Sequence, residues 1–240
     1  MEIVIQELQK KYDNVTACDI KQLDIHHGDI IGLVGNNGAG KTTLFRLLLD
    51  LQKADNGTIQ LIPQGHQPID VSKSEEWKDY TGAYIDDGFL IDFLTSEEYF
   101  DFLSKIAKMP QEETQERLSL FKTFAGDEIF GKKKLIRNLS AGNKQKVGII
   151  AAFFRHPELV VLDEPFNFLD PTSQNMLKHI ITDYNKSTGA TLLVSSHNLT
   201  HTVDVSTRIV LLEHGCVIRD ILNNNETNAG EELKNYFETE

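Results

Sequence analysis

Residues 35–42 read Gly35-Asn36-Asn37-Gly38-Ala39-Gly40-Lys41-Thr42, with Thr43 next, and fit G-x-x-x-x-G-K-[ST] without exception. By chance the pattern falls in about one in a hundred chains of this length, with glycine at roughly 7% of residues. Glycines let the backbone curl until successive N–H groups and a following helix N-terminus point at phosphate oxygens. Lys41 then reaches the β- and γ-phosphates of a nucleotide, and the Thr42 hydroxyl is placed to coordinate Mg2+. A plain glycine turn before a helix is the simpler alternative, and a second set of residues weighs against it. The apolar run Leu159-Val160-Val161-Leu162 reads as a strand that delivers Asp163 and Glu164 to a sheet edge. Asp163 suits Mg2+ held through water, and Glu164 suits a base that orients and deprotonates an attacking water.

The elements that must position these groups are legible in outline. Residues 3–7 alternate as a strand, and Asp29 to Val34 reads as a buried strand running into the glycines. Thr42 to Leu51 is leucine-rich and reads as a helix, followed by a turn at Asp55-Asn56-Gly57 and a strand at Thr58–Ile62. Residues 63–81 are polar and read as loop, and Gly82 to Ile85 is strand-like. Thr95-Ser96-Glu97-Glu98 is a capping box that starts a helix running to about Lys108. Pro110 opens another predicted to run to about Phe124, and Ser140 caps a helix over 141–155. Asp170-Pro171 starts a helix to about Lys186. Strands follow at Thr191–Ser195 and Arg208–Leu212 with a short helix between them, and the acidic tail ends in a helix at 229–238. Strands alternating with helices predict a mainly parallel α/β sheet, interrupted by a mostly helical segment at 86–157.

Composition narrows the function classes. The balance of 24 basic and 36 acidic residues, a formal charge of −12, argues against a broad nucleic-acid surface, so no nucleic-acid partner is expected. The two cysteines, Cys18 and Cys216, are far apart and give neither a disulfide framework nor a thiolate metal site. The opening residues lack a basic stretch followed by an apolar core, so no signal peptide is expected. The longest apolar run, Val147 to Phe154, is far short of the roughly 20 residues that span a membrane. A soluble chain is expected, with any membrane role coming through a partner.

Taken together, these motifs resemble the ABC-transporter ATPase family over almost the whole chain. Leu139-Ser140-Ala141-Gly142-Asn143 resembles the family's LSGGQ signature, with Asn143 in place of its glutamine. Asn167-Phe168-Leu169-Asp170 looks like the D-loop, Ser195-Ser196-His197 like the switch histidine, and Tyr12 like the aromatic that stacks on adenine. The resemblance implies a P-loop NTPase core formed by 1–85 and 158–222, with an N-terminal antiparallel β subdomain. It further implies an inserted α-helical subdomain at 86–157 carrying the signature, and a short tail at 223–240. ATP and Mg2+ are the implied ligands. Ser140 and Gly142 are implied to close on the γ-phosphate held by a second copy or a homologous subunit in a head-to-tail dimer. Asp170 is implied to act across that interface, and His197 to help position Glu164 and the water. The implied partners are integral membrane permease subunits on separate chains, of the exporter or antibiotic-efflux type. That places the chain at the cytoplasmic face of the cell membrane.

Tyr84-Ile85-Asp86-Asp87-Gly88-Phe89-Leu90 falls where the family's loop between core and helical segment offers a glutamine to Mg2+. Asp87 takes that position by counting back from Thr95 and is expected as a metal ligand, with a plain turn as the alternative. A soluble ABC ATPase of DNA repair or translation is the competing class. Such relatives carry a second cassette or a long coiled-coil insertion, whereas Lys41 and Leu139 are only 139 − 41 = 98 positions apart, without heptads. A GTPase fails because no N-K-x-D motif is present, and His197 with His201 lacks the glutamate of a zinc-binding H-E-x-x-H.

Overall fold

The computed structural model describes residues 1–85, 89–224 and 229–238. Two sheets organise it. The first begins with a long hairpin of β1 (Glu2–Tyr12) and β2 (Val15–Ile25), joined by a two-residue loop with Asp13 in the left-handed region. The inward residues are Ile3, Ile5 and Leu8 on β1, and Cys18, Ile20, Leu23 and Ile25 on β2. Parity therefore slips once in each strand, at Glu7 (φ 48°) on β1. A break in the period of two hides a strand from pattern reading. That is why the strand read at 3–7 runs on to Tyr12 and why β2 had no signal.

The buried run β3 (Ile30–Val34) feeds the glycine loop into α1 (Lys41–Leu48). This helix stops three residues before the Leu51 expected from composition. Leu49 ends it as the cap, and Asp50 takes a left-handed backbone. β4 (Asn56–Ile62) and the short β5 (Ile69–Asp70) complete the first, antiparallel sheet in the order β2-β1-β4-β5. A 3₁₀ turn at Glu76–Asp79 buries Trp77 within the stretch read as loop, before β6 (Thr81–Tyr84).

Next come α2 (Ser96–Ile106), α3 (Gln111–Ser119), α4 (Lys122–Ala125) and α5 (Ala141–Phe154). The single helix expected from Pro110 to Phe124 is broken at Leu120–Phe121. The backbone turns there so that the Phe121 ring packs 6.1 Å from that of Phe153, while Leu120 stays exposed. α5 is apolar on most sides and buried accordingly.

β7 (Leu159–Leu162), α6 (Pro171–Thr188), β8 (Thr191–Ser196), α7 (Leu199–Val205), β9 (Arg208–Glu213), β10 (Cys216–Leu222) and α8 (Ala229–Glu238) follow. The second sheet runs β10-β9-β3-β8-β7-β6, with every pairing parallel except the β9–β10 edge hairpin. β3, β7 and β8 are buried along their whole lengths, as central strands covered on both faces must be. β10, absent from the sequence reading, is half exposed and mixes Arg219 and Asp220 with apolar residues. α8 folds back so that Ala229 and Leu233 pack on Val34, Ile209 and Leu211, giving the acidic tail an apolar anchor.

Thr95 caps α2 as its sequence implies. Its Oγ1 accepts from the Glu98 amide at 3.2 Å, and Glu98 Oε2 accepts from the Thr95 amide at 2.8 Å. Thr95→Ala is expected to cost about 1 kcal/mol. For a domain of this size that lowers the melting temperature by roughly 2–4 °C, read by thermal circular dichroism. An unchanged melting temperature would show that water replaces the cap.

Candidate functional site

Everything with chemistry in it gathers where β3, β7 and β8 end together. Parallel register aligns Val34 with Ser196 and Leu162 with Val194, so the residues just after each strand meet at one edge. From β3 comes the glycine loop. Gly35 (φ 151°) and Gly40 (φ 105°) need their conformations, and a Cβ would lie 2.3 Å from the Leu212 carbonyl and 2.4 Å from the Ala17 carbonyl respectively. Gly40 also begins α1 without offering a side-chain acceptor to its first turn. Asn36, Asn37 and Gly38 are exposed along the loop, whereas Ala39 is buried; Thr43 lies half-buried in the first turn of α1.

Lys41 is buried, and its ammonium donates to the carbonyls of Gly35 (2.6 Å) and Asn36 (3.4 Å), with Glu164 Oε1 at 3.8 Å. Thr42 Oγ1 donates to Asp163 Oδ2 at 2.6 Å, and Ser195 Oγ donates to Asp163 Oδ1 at 2.5 Å. Asp163 is only 6% exposed, and burial is the largest influence on its carboxyl, pushing its pKa up. The bonds from Ser195 and Thr42 oppose that shift, the neighbouring Glu164 adds to it, and Lys41 opposes it more weakly.

Glu164 has a left-handed backbone at φ 48°, a conformation costing a non-glycine residue roughly 1–2 kcal/mol. It is held from both sides: its amide donates to Ser195 Oγ at 2.8 Å, and its carbonyl accepts from Gln145 Nε2 at 3.1 Å. Glu164 Oε2 lies 2.8 Å from His197 Nδ1 and accepts from the His197 amide at 3.2 Å. One serine thus touches both acids, a link the sequence did not announce.

The remaining candidates lie on other elements, each with its own local partners. Ser140 caps α5, its hydroxyl accepting from the Asn143 amide at 3.3 Å. Gly142 has the Phe168 carbonyl where a side chain would go, 2.5 Å from an added Cβ. Asp170 caps α6, and both its oxygens accept from Ser173, which holds its carboxyl below the usual range. Tyr12 ends β1 with its ring 44% exposed and its hydroxyl on Gln52 Oε1 at 2.5 Å. His201 stacks on Phe166 instead of joining His197. Asp86 and Asp87 lie outside the described residues. A cavity of about 330 Å³ opens between Gln145, Asp163, Glu164 and Phe168. A larger hollow, about 580 Å³ beside Glu112, Glu116, Arg117 and His156, lies apart from the glycine loop.

The donors present fit a nucleotide triphosphate and a hard divalent cation. An uncapped helix start and a buried ammonium can donate to phosphate oxygens, while the Thr42 hydroxyl and the Asp163 carboxylate are the kind of oxygen ligand Mg2+ takes. Sequence reasoning missed Gln145 and the double role of Ser195. Gln145 sits between two lysines and reads as a solvated position, yet it is 4% exposed.

A family profile described as "ABC transporter" matches residues 19–167, more than half of the 240. An ABC transporter ATP-binding protein of Synechocystis is 33% identical over 192 residues, 80% of this chain and 52% of its own length. The chain thus spans about half of that relative. The bacitracin transport ATP-binding protein BcrA of Enterococcus faecalis is 30% identical over 228 residues, covering 92% of this chain and 70% of BcrA. The dimeric ATP-binding cassette MJ0796, solved with ADP and Pi, superposes with a TM-score of 0.80 at 22% identity, covering 93% of this chain and 99% of that one. That likeness fixes the fold: a P-loop NTPase core with a mainly parallel sheet, an antiparallel sheet and helices.

Ser195→Ala removes the donor to Asp163 and the acceptor of the Glu164 amide together. It is expected to cost about 1–3 kcal/mol, because buried polar groups are left unpaired. Urea unfolding measures the loss, and a midpoint equal to that of wild type would assign the hydroxyl no structural weight.

Proposed function

The chain belongs to the ABC transporter family, and from that premise we propose that it binds and hydrolyses ATP as the nucleotide-binding subunit of an export system with its membrane-spanning subunits on other chains. The observation that carries the reading is the unbroken run of contacts Thr42–Asp163–Ser195–Glu164–His197 beside the buried Lys41. Lys41 exchanges its two carbonyl partners for β- and γ-phosphate oxygens, joined by the amides of residues 38–43. Thr42 and Asp163 hold Mg2+, which when bound neutralises charge developing on the transferred phosphoryl group. Glu164, aimed by His197, orients a water and takes its proton. The exposed ring of Tyr12 offers a face to the adenine.

Ser140, Gly142 and Asp170 complete the site of a second copy or a homologous subunit, head to tail. Ser140 at the start of α5 supplies a second helix N-terminus for phosphate, and Gly142 lets the Phe168 carbonyl pack against the first turn of that helix. Glu164→Gln is expected to abolish turnover while ATP binding survives and an ATP-loaded dimer accumulates, seen by size exclusion with light scattering. Lys41→Ala is expected instead to lose the thermal stabilisation that ATP confers. Hydrolysis at the wild-type rate by Glu164→Gln would sink the assignment.

A membrane partner needs a docking surface, and an apolar hollow beside β6 supports this reading. Leu51, Trp77, Thr81, Ala83 and Phe89 surround an apolar hollow of about 250 Å³, with Phe89 56% exposed. The hollow could receive the anchor side chains of an apolar-faced helix from a membrane subunit. Among the described residues no helix is long and apolar enough to cross a membrane itself. The export direction is our reading, supported by the likeness to a relative named for bacitracin transport, while relatives named for import match at similar identity. Tagged protein from detergent extracts is expected to recover a multi-span chain, and Phe89→Asp to lose it while basal ATPase activity stays. Flux in inverted vesicles bearing the recovered pair is expected to run in the export direction. Recovery of soluble chains only would overturn the membrane role, and uptake-directed flux the export assignment.

A further inference from the structure

Glu164 can act on a water only if its carboxylate points one way, and its left-handed backbone has to be held from outside to make it do so. Ser195 holds the amide side of that residue. The carbonyl side is held by Gln145, a residue of α5 rather than of the sheet. We propose that Gln145 is a positioning residue for Glu164, and that Tyr84 keeps its amide in the working orientation. The inference rests on the reading of Glu164 as the base.

The hydrogen-bond arithmetic leaves one arrangement. A carbonyl oxygen can only accept, so Glu164 requires the NH2 of Gln145, which leaves Oε1 free for another donor. The Tyr84 hydroxyl supplies it at 2.7 Å. Gln145 is 4% and Tyr84 6% exposed and their mutual bond is buried, so a solvent molecule does not readily replace the Tyr84 hydroxyl, although both residues edge the cavity beside Glu164. The tyrosine ring fits against α5 only because residue 148 is glycine, where an added Cβ would come within 2.2 Å of the ring. Tyr84, Gly148 and Gln145 therefore form one fitted set on two elements. Gln145 also lies five residues beyond Ser140 on the same helix, so a shift of the start of α5 reaches the base of its own chain through one amide. A displacement of the base by about 1 Å is enough to lower turnover by about a hundredfold.

The test compares Gln145→Met, which keeps volume but not the donor, with Gln145→Glu, which keeps the acceptor for Tyr84, and with Tyr84→Phe. Turnover of Mg·ATP is expected to fall about 10- to 100-fold in both Gln145 variants and less in Tyr84→Phe, with KM and the ATP-induced melting shift unchanged. The double variant Tyr84→Phe/Gln145→Met is expected to be no slower than Gln145→Met alone, because both act through one bond. Turnover within about twofold of wild type, losses in kcat and KM together, or multiplicative losses in the double variant would overturn the proposal. Should Gln145→Met fail to fold, Tyr84→Phe, which deletes one hydroxyl, decides alone. If wild type binds ATP without hydrolysing it, the proposed function falls by itself. The positioning claim is then read from the His197 ring resonances, which move in the variants if Glu164 moves and refute it if they stay.

Discussion

A carboxylate buried at the end of a strand stays in a folded protein only if donors reach both of its oxygens, and Asp163 sets that requirement for the site. Thr42 and Ser195 meet it from two different directions. Thr42 lies in the first turn of α1, which ties the glycine loop to β7; Ser195 lies on β8, which ties β7 to the strand leading to His197. The parallel register of β3, β8 and β7 brings the three together without any of them being neighbours in sequence. Removing either donor would leave a buried carboxylate oxygen unpaired, which costs more than the bond itself contributes. The same carboxylate, pushed toward its neutral form by burial, is the kind of ligand whose charge a cation restores.

The helical segment is attached to this centre more tightly than a peripheral insertion needs to be. α5 approaches β6 so closely that Gly82 has the Ala152 carbonyl, and Gly148 the Tyr84 ring, where side chains would be. Close approach of backbones transmits displacement, because a packed interior does not deform continuously. The helix that starts at Ser140 and the acid that follows β7 are therefore joined through Gln145. Under the proposed function such a link would let nucleotide chemistry at the sheet edge reach a partner docked near Phe89.

By itself the sequence determined the chemistry and much of the scaffold. The loop at 35–42, the acids after 159–162, the box at Thr95 and the Asp170-Pro171 start are local signals: each depends on residues within one turn or one strand, and each is found where it was read. Hidden were the features that depend on contacts far along the chain. β2 and the end of β1 lost their alternation to the slip at Glu7, and the break after α3 comes from Phe121 turning in toward Phe153. The burial of Gln145 has no local signal, because its sequence neighbours are lysines while its spatial neighbours are Tyr84 and Glu164. Only the tertiary structure decided which serine bridges the two acids and how Glu164 is aimed. Those are set by strand register and by glycines that let α5 and β6 touch, and neither quantity exists until the chain has closed on itself.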